Sequence, residues 1–121
     1  MNDINSDAQL QHLRTLLREF AAERDWEQFH TPKNLAAALS VEAAELLEPF
    51  QWLVKGGKDE LGDKLEDVRL EMADVLAYLI QLADKLDIDL YQALLEKIEL
   101  NRAKYPAGQV RGKSNKYSDY S

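Results

Sequence analysis

The chain contains no cysteine among its 121 residues. That excludes a disulfide framework, a thiolate nucleophile and a cysteine-based zinc site. It fits a reducing compartment, and a cytoplasmic setting is the expectation. Glycine and proline are scarce, at five and three residues, so long segments are free to be helical. No apolar run approaches the ~18 residues needed to cross a bilayer, so no membrane partner is expected. The start, Met1-Asn-Asp-Ile-Asn-Ser6, has neither a basic region nor an apolar stretch, and no leader is expected there. Basic charge is also short: 15 Lys and Arg stand against 22 Asp and Glu, for a net charge of −7. Such a surface argues against nonspecific binding of nucleic acid. Any anionic substrate needs local neutralisation, by a metal or by a few well-placed basic side chains.

What is present is helical pattern. Ser6-Asp-Ala-Gln9 reads as a capping box opening a first helix, which Leu10, Leu13, Leu16, Leu17 and Phe20 carry to about Asp25. Residues 26–30 read as a connection. Thr31-Pro32 is an N-cap followed by proline at the first helical position. The second helix is expected to reach Trp52 or Leu53, with Pro49 kinking it and Gly56-Gly57 ending it. Residues 58–63 are a polar connector. The third helix, about Lys64 to Leu86, carries Val68, Met72, Val75, Leu76, Leu79, Ile80, Leu82 and Ala83. Asp87 or Asp89 caps a fourth helix, which ends near Lys104 before Pro106. The expected fold is all-α: one domain over residues 1–121, a bundle of about four helices, with 107–121 a mobile tail. Apolar residues on more than one face of the third helix predict self-association.

Two acidic pairs carry the chemistry. Glu42 and Glu45 lie in Val41-Glu-Ala-Ala-Glu-Leu-Leu-Glu48, and Glu71 and Asp74 lie in Leu70-Glu-Met-Ala-Asp-Val-Leu76. Each pair is spaced i, i+3, so both carboxylates share one side of a helix. Each also interrupts an apolar stripe. Solvated charges on amphipathic helices are the plain alternative, but basic partners at i±4 are missing. Glu42 has Ala38 and Leu46, Asp74 has Leu70 and Tyr78, and Glu71 has Asp67 and Val75. Carboxylates on a partly buried face cost several kcal/mol unless compensated. A divalent cation compensates several at once. All-oxygen ligands suit Mg²⁺, which substrate phosphates usually complete. A di-iron bundle needs Glu-x-x-His pairs, and neither His12 nor His30 stands three residues after a Glu. No glycine-rich phosphate loop is present.

These residues resemble the MazG-like all-α nucleoside triphosphate pyrophosphatases. The family signature is Glu-x-x-Glu, a spacer, then Glu-x-x-Asp. Phe20-Ala-Ala-Glu-Arg-Asp-Trp-Glu-Gln-Phe-His30, Phe50-Gln-Trp52, Asp74-Val-Leu-Ala-Tyr78 and Asn101-Arg-Ala-Lys-Tyr-Pro106 are similar to its dCTP pyrophosphatase-like branch. The resemblance covers roughly Leu10 to Tyr117. It implies Mg²⁺-dependent hydrolysis of a deoxynucleoside triphosphate to the monophosphate and pyrophosphate. It implies that Glu42, Glu45, Glu71 and Asp74 hold the metal, with Glu45 taken as the general base. Trp26, His30, Asn34, Trp52 and Tyr78 are implied to line the nucleoside pocket, and Lys97, Asn101 and Arg102 to face the phosphates. Ordinary core packing is the alternative for the aromatics, a mere capping role for Asn34, and a solvated basic helix end for Lys97, Asn101 and Arg102. Lys113, Lys116 and Tyr117 are expected to close over the site. The resemblance also implies a homo-oligomer, a tetramer. Where the branch carries a His before Glu-Phe-Ala-Ala, this chain has Leu17. That departure puts strict cytosine preference in doubt and leaves dATP or modified dCTP as substrates. A dUTP/dUDP hydrolase of the all-α type and a noncatalytic helical interaction module stand as alternative functions.

Overall fold

The computed structural model describes residues 3–112. Six α-helices follow in order: α1 (Asp3–Glu23), α2 (Pro32–Leu47), α3 (Lys58–Leu61), α4 (Leu65–Lys85), α5 (Leu90–Lys104) and α6 (Ala107–Val110). Short 3₁₀ turns at Glu27–Phe29, Glu48–Phe50 and Gly62–Lys64 join some of them. No strand occurs among the described residues, so the all-α expectation holds. The contacts divide the chain between Ile88 and Asp89.

In the first unit, α2 lies along α4, and α1 packs against α4 as well. The buried core is small: Ala21, Leu35, Leu61, Val68, Ile80 and Ala83. Leu35 is the most enclosed, at 1% exposure. Much of the apolar pattern faces outward instead. Leu13, Leu16 and Phe20 on α1, and Leu70, Met72 and Leu76 on α4, remain exposed. A bidentate ion pair ties α1 to α4, with Arg18 Nε donating to Asp84 Oδ2 at 2.7 Å and Nη2 donating to Oδ1. It raises the Arg18 guanidinium and lowers the Asp84 carboxyl, the hydrogen bond being the larger cause for each.

Local chemistry explains the helix ends. Thr31 caps α2, its Oγ1 accepting from Asn34 N at 3.1 Å. The α-helix stops at Leu47 rather than continuing to Trp52. Pro49 lacks an N–H for the α pattern, so the chain tightens into a 3₁₀ turn over Glu48–Phe50. α1 begins at Asp3, which puts Ser6 inside the helix rather than at its cap. Part of the expected connector, Lys58–Leu61, is itself a helical turn. Both α1 and α4 end in Schellman motifs built on aspartate. Asp25 has φ 54° and Asp87 has φ 55°. Beyond them, Trp26 N donates to Ala21 O and Ile88 N to Ala83 O, each at 2.9 Å. Asp87 therefore terminates α4, and Asp89 is the cap of the next helix.

The second unit holds α5 and α6. Asp89 Oδ1 accepts from Gln92 N at 3.0 Å and opens α5. Tyr105 N donates to Asn101 O at 2.8 Å and closes it. Within the expected tail, Ala107–Val110 adds one helical turn.

Candidate functional site

The contact between α2 and α4 brings acid to acid. Glu42 and Glu45 point from one side of α2, and Glu71 meets them from α4. One carboxylate oxygen from each lies within 4.8 Å of the others, and all three residues are half-buried. Glu42 Oε2 and Glu71 Oε2 are buried, and no donor among the described residues reaches either. Burial, followed by the hydrogen bonds that only its protonated form can make with the Glu71 and Glu45 carboxylates, and then the charges of Glu45 and Asp74, pushes the Glu42 carboxyl up to about 7. Asp74 thus acts on the cluster through its charge. Its own carboxylate is not part of the converging set, and the residue is exposed.

Such an arrangement is unfavourable without a compensating proton or cation. The donor set is all oxygen, and two of its buried atoms have no partner. Those residues fit a hard divalent cation, and they do not fit a soft metal, which would want sulfur or imidazole.

The aromatic residues form a second group. The α1 Schellman motif fixes the backbone of Trp26. The Trp26 ring meets Phe20 edge-on at 5.7 Å between centroids and 69°, and meets His30 at 6.3 Å and 61°. Arg24 stacks over the other partner, its guanidinium carbon 3.7 Å from the Phe20 centroid. His30 is half-buried and shares a hollow with Arg14, Leu17, Arg18 and Asp84. Leu17, the position of the departure noted above, thus stands in the same hollow as His30. Asn34 has a defined local task. Its Nδ2 donates to Phe29 O at 2.9 Å and ties the turn before α2 to the start of that helix.

Trp52 follows the 3₁₀ turn after α2 and is 86% exposed. Tyr78 is half-buried on α4, one turn beyond Asp74. Lys97, Asn101 and Arg102 are exposed on α5, where Arg102 pairs with Glu99. They belong to the second unit. Lys113, Lys116 and Tyr117 lie outside the described residues.

Two contributors escape a reading of the sequence. Phe20 looks like one more apolar residue of a helix stripe, yet it carries both Trp26 and Arg24. Glu60 looks like part of a solvated connector. Its carboxylate instead accepts three backbone N–H groups from residues 54–56. Nothing in local spacing announces that, because it depends on how the loop folds back.

Comparison with known proteins points one way. Residues 37–120 match the MazG-like family. The chain is 45% identical over 113 residues to dCTP pyrophosphatase 1 of Homo sapiens, an alignment spanning 91% of this chain and 66% of that protein. Against dCTP pyrophosphatase 1 of Bos taurus it is 44% identical over 121 residues, spanning 95% and 70%. This chain therefore spans about two thirds of the length of these relatives. Among solved structures, a pyrophosphatase from Archaeoglobus fulgidus DSM 4304 superposes with a TM-score of 0.75 at 43% identity, covering 81% of this chain and 93% of that one. By sequence and by fold, the chain belongs to the MazG-like family.

Proposed function

We propose that this protein is a Mg²⁺-dependent nucleoside triphosphate pyrophosphohydrolase that cleaves a deoxynucleoside triphosphate, with dCTP the first candidate. The observation that carries the reading is the meeting of Glu42, Glu45 and Glu71 with two buried, donorless oxygens. The relatives named dCTP pyrophosphatase 1 and the structural neighbour named a pyrophosphatase support it.

In this reading Glu42, Glu45, Glu71 and Asp74 hold the cation. When bound, a divalent cation neutralises triphosphate charge and stabilises charge developing on the transferring phosphoryl group. The chain's own residues do the rest. Glu45 accepts the proton of the attacking water. Water adds across the anhydride between the α- and β-phosphates, the bridging P–O bond breaks, and the products are the monophosphate and pyrophosphate. Trp26, His30, Trp52 and Tyr78 line the nucleoside pocket, with aromatic faces stacking on the base. Asn34 serves that pocket by holding the turn before α2. Lys97, Asn101 and Arg102 face the phosphates.

The protein works as a homo-oligomer, a tetramer. The exposed apolar faces of α1 and α4 support self-association. The partner set is then the nucleotide and further copies of the chain. The acidic balance of −7 disfavours nucleic acid. No helix among the described residues is long and apolar enough to cross a membrane. The setting we assign is cytoplasmic. Leu17, in place of a histidine, widens the expected substrate range to dATP or modified dCTP.

The test is pyrophosphate release from the four dNTPs, dUTP, the ribonucleotides and 5-methyl-dCTP, with and without Mg²⁺. Mg²⁺-dependent release favouring a deoxynucleotide is expected. No release from any of them overturns the proposal.

A further inference from the structure

Glu60 is joined to the loop before it by an unusual number of bonds. Its Oε2 accepts from Val54 N at 2.7 Å, and its Oε1 accepts from Lys55 N at 3.0 Å and Gly56 N at 2.9 Å. Three successive peptide groups are thereby satisfied by one carboxylate. These backbone bonds hold the Glu60 carboxyl below its ordinary range. Glu60 is itself anchored, because the next residue of α3, Leu61, is buried in the core. The grip on the loop is therefore referred to the body of the first unit.

A second clamp acts at the same place. Gly56 has φ +74°, and a Cβ there would stand 2.8 Å from Phe50 Cδ1. The absence of a side chain at Gly56 lets the Phe50 ring lie against the loop backbone. Leu53 N also donates back to Phe50 O at 2.9 Å. Between these fixed points the chain displays two apolar side chains outward: Trp52 at 86% exposure and Val54 at 91%. A slack loop gains by folding such side chains onto the nearest apolar surface. This loop is held by ordered backbone bonds and keeps its tryptophan out.

We propose that Glu60 is a positioning residue for base recognition: its carboxylate fixes the 54–56 backbone and so holds Trp52 ready to stack on the nucleobase. The inference rests on the assignment of Trp52 to the nucleoside pocket made above. Pre-ordering of this kind removes an ordering cost from binding. It leaves the acidic cluster on α2 and α4 untouched. Loss of Glu60 therefore weakens substrate binding and spares the chemical step.

The experiment compares steady-state hydrolysis of dCTP by the wild-type chain, Glu60→Ala, Glu60→Gln and Trp52→Ala, with folding followed by circular dichroism. Glu60→Ala is expected to raise KM about tenfold, the scale of losing roughly one base-stacking contact. Its kcat is expected to stay within about twofold, the pattern of lost uniform binding. Glu60→Gln keeps one acceptor oxygen but turns an NH₂ group toward the remaining N–H groups, so its KM is expected to fall between the two. Should Glu60→Ala fail to fold, Glu60→Gln decides the matter with a smaller KM rise in the same direction. A KM unchanged in the folded Glu60 variants, while Trp52→Ala raises it, overturns the role of Glu60 and leaves Trp52 in the pocket. A KM unchanged in Trp52→Ala overturns the pocket assignment itself, and the role of Glu60 with it. A fall in kcat at constant KM in the Glu60 variants also overturns the proposal.

Discussion

Glu42 on α2 and Glu71 on α4 each bury an Oε2 atom that no donor among the described residues reaches. The two helices lie along one another, so relief by separating the charges would break the main packing contact of the first unit. A proton or a cation is the available remedy.

The proton remedy predicts a pH dependence for the metal-free protein. Glu42 is raised from an ordinary value of 4.5 to about 7 in the folded state. Between those values the folded chain binds more protons than the unfolded one, so folding stability falls as pH rises. The contribution is fully present below about 4.5 and lost as pH climbs through about 7. Urea unfolding in EDTA from pH 5 to 8 is expected to show a falling midpoint. Glu42→Gln is expected to flatten that fall. A midpoint that rises across the window would contradict the assignment.

The cation remedy predicts linkage. Mg²⁺ at a hundred times its Kd is expected to stabilise the fold by about 2.7 kcal/mol, because it binds only the folded state. Glu71→Gln is expected to lose that thermal shift and to cut turnover by more than about a hundredfold. Retention of full activity by Glu71→Gln would dismiss the metal site.

Leu35 is the most enclosed large side chain of the core, on the helix that carries Glu42 and Glu45. Leu35→Ala leaves a cavity beneath that helix and is expected to cost about 3 kcal/mol, within the range for buried Leu→Ala changes. Denaturant titration measures it. A loss under about 1 kcal/mol would mean the site collapses around the smaller residue.

Gly56→Ala tests the loop clamp from its other side. The added Cβ meets Phe50 Cδ1 at 2.8 Å, and φ +74° is strained for alanine. The expected cost is about 1–3 kcal/mol. Gly57 is next in sequence, but nothing lies within 4 Å of its added Cβ, so Gly57→Ala is expected to be the milder change. Equal thermal shifts for the two variants would show that the Phe50 contact does not matter.

Local physics reaches a defined distance here. The shared helix face of Glu42 and Glu45 follows from i, i+3 spacing alone. Although the choice of Asp89 over Asp87 needed the structure, the cap at Thr31 follows from a side-chain oxygen placed before a helical run. So does the all-α class, because glycine and proline are too few to interrupt long periodic stretches. Pro49 announced a disturbance, but ending the α-helix at Leu47 depended on the 3₁₀ turn that followed. The sequence by itself determined that the long segments are helical and which acids share a helix side, since those depend on neighbours within a turn or two. Only the packing of α2 on α4 decided that Glu71 meets Glu42 and Glu45 while Asp74 stays exposed. Only the fold of the loop decided that Glu60 would spend its charge on three peptide N–H groups. Both depend on the angle and register at which separate segments meet, and that is set by side chains filling space across the contact, which no local spacing encodes.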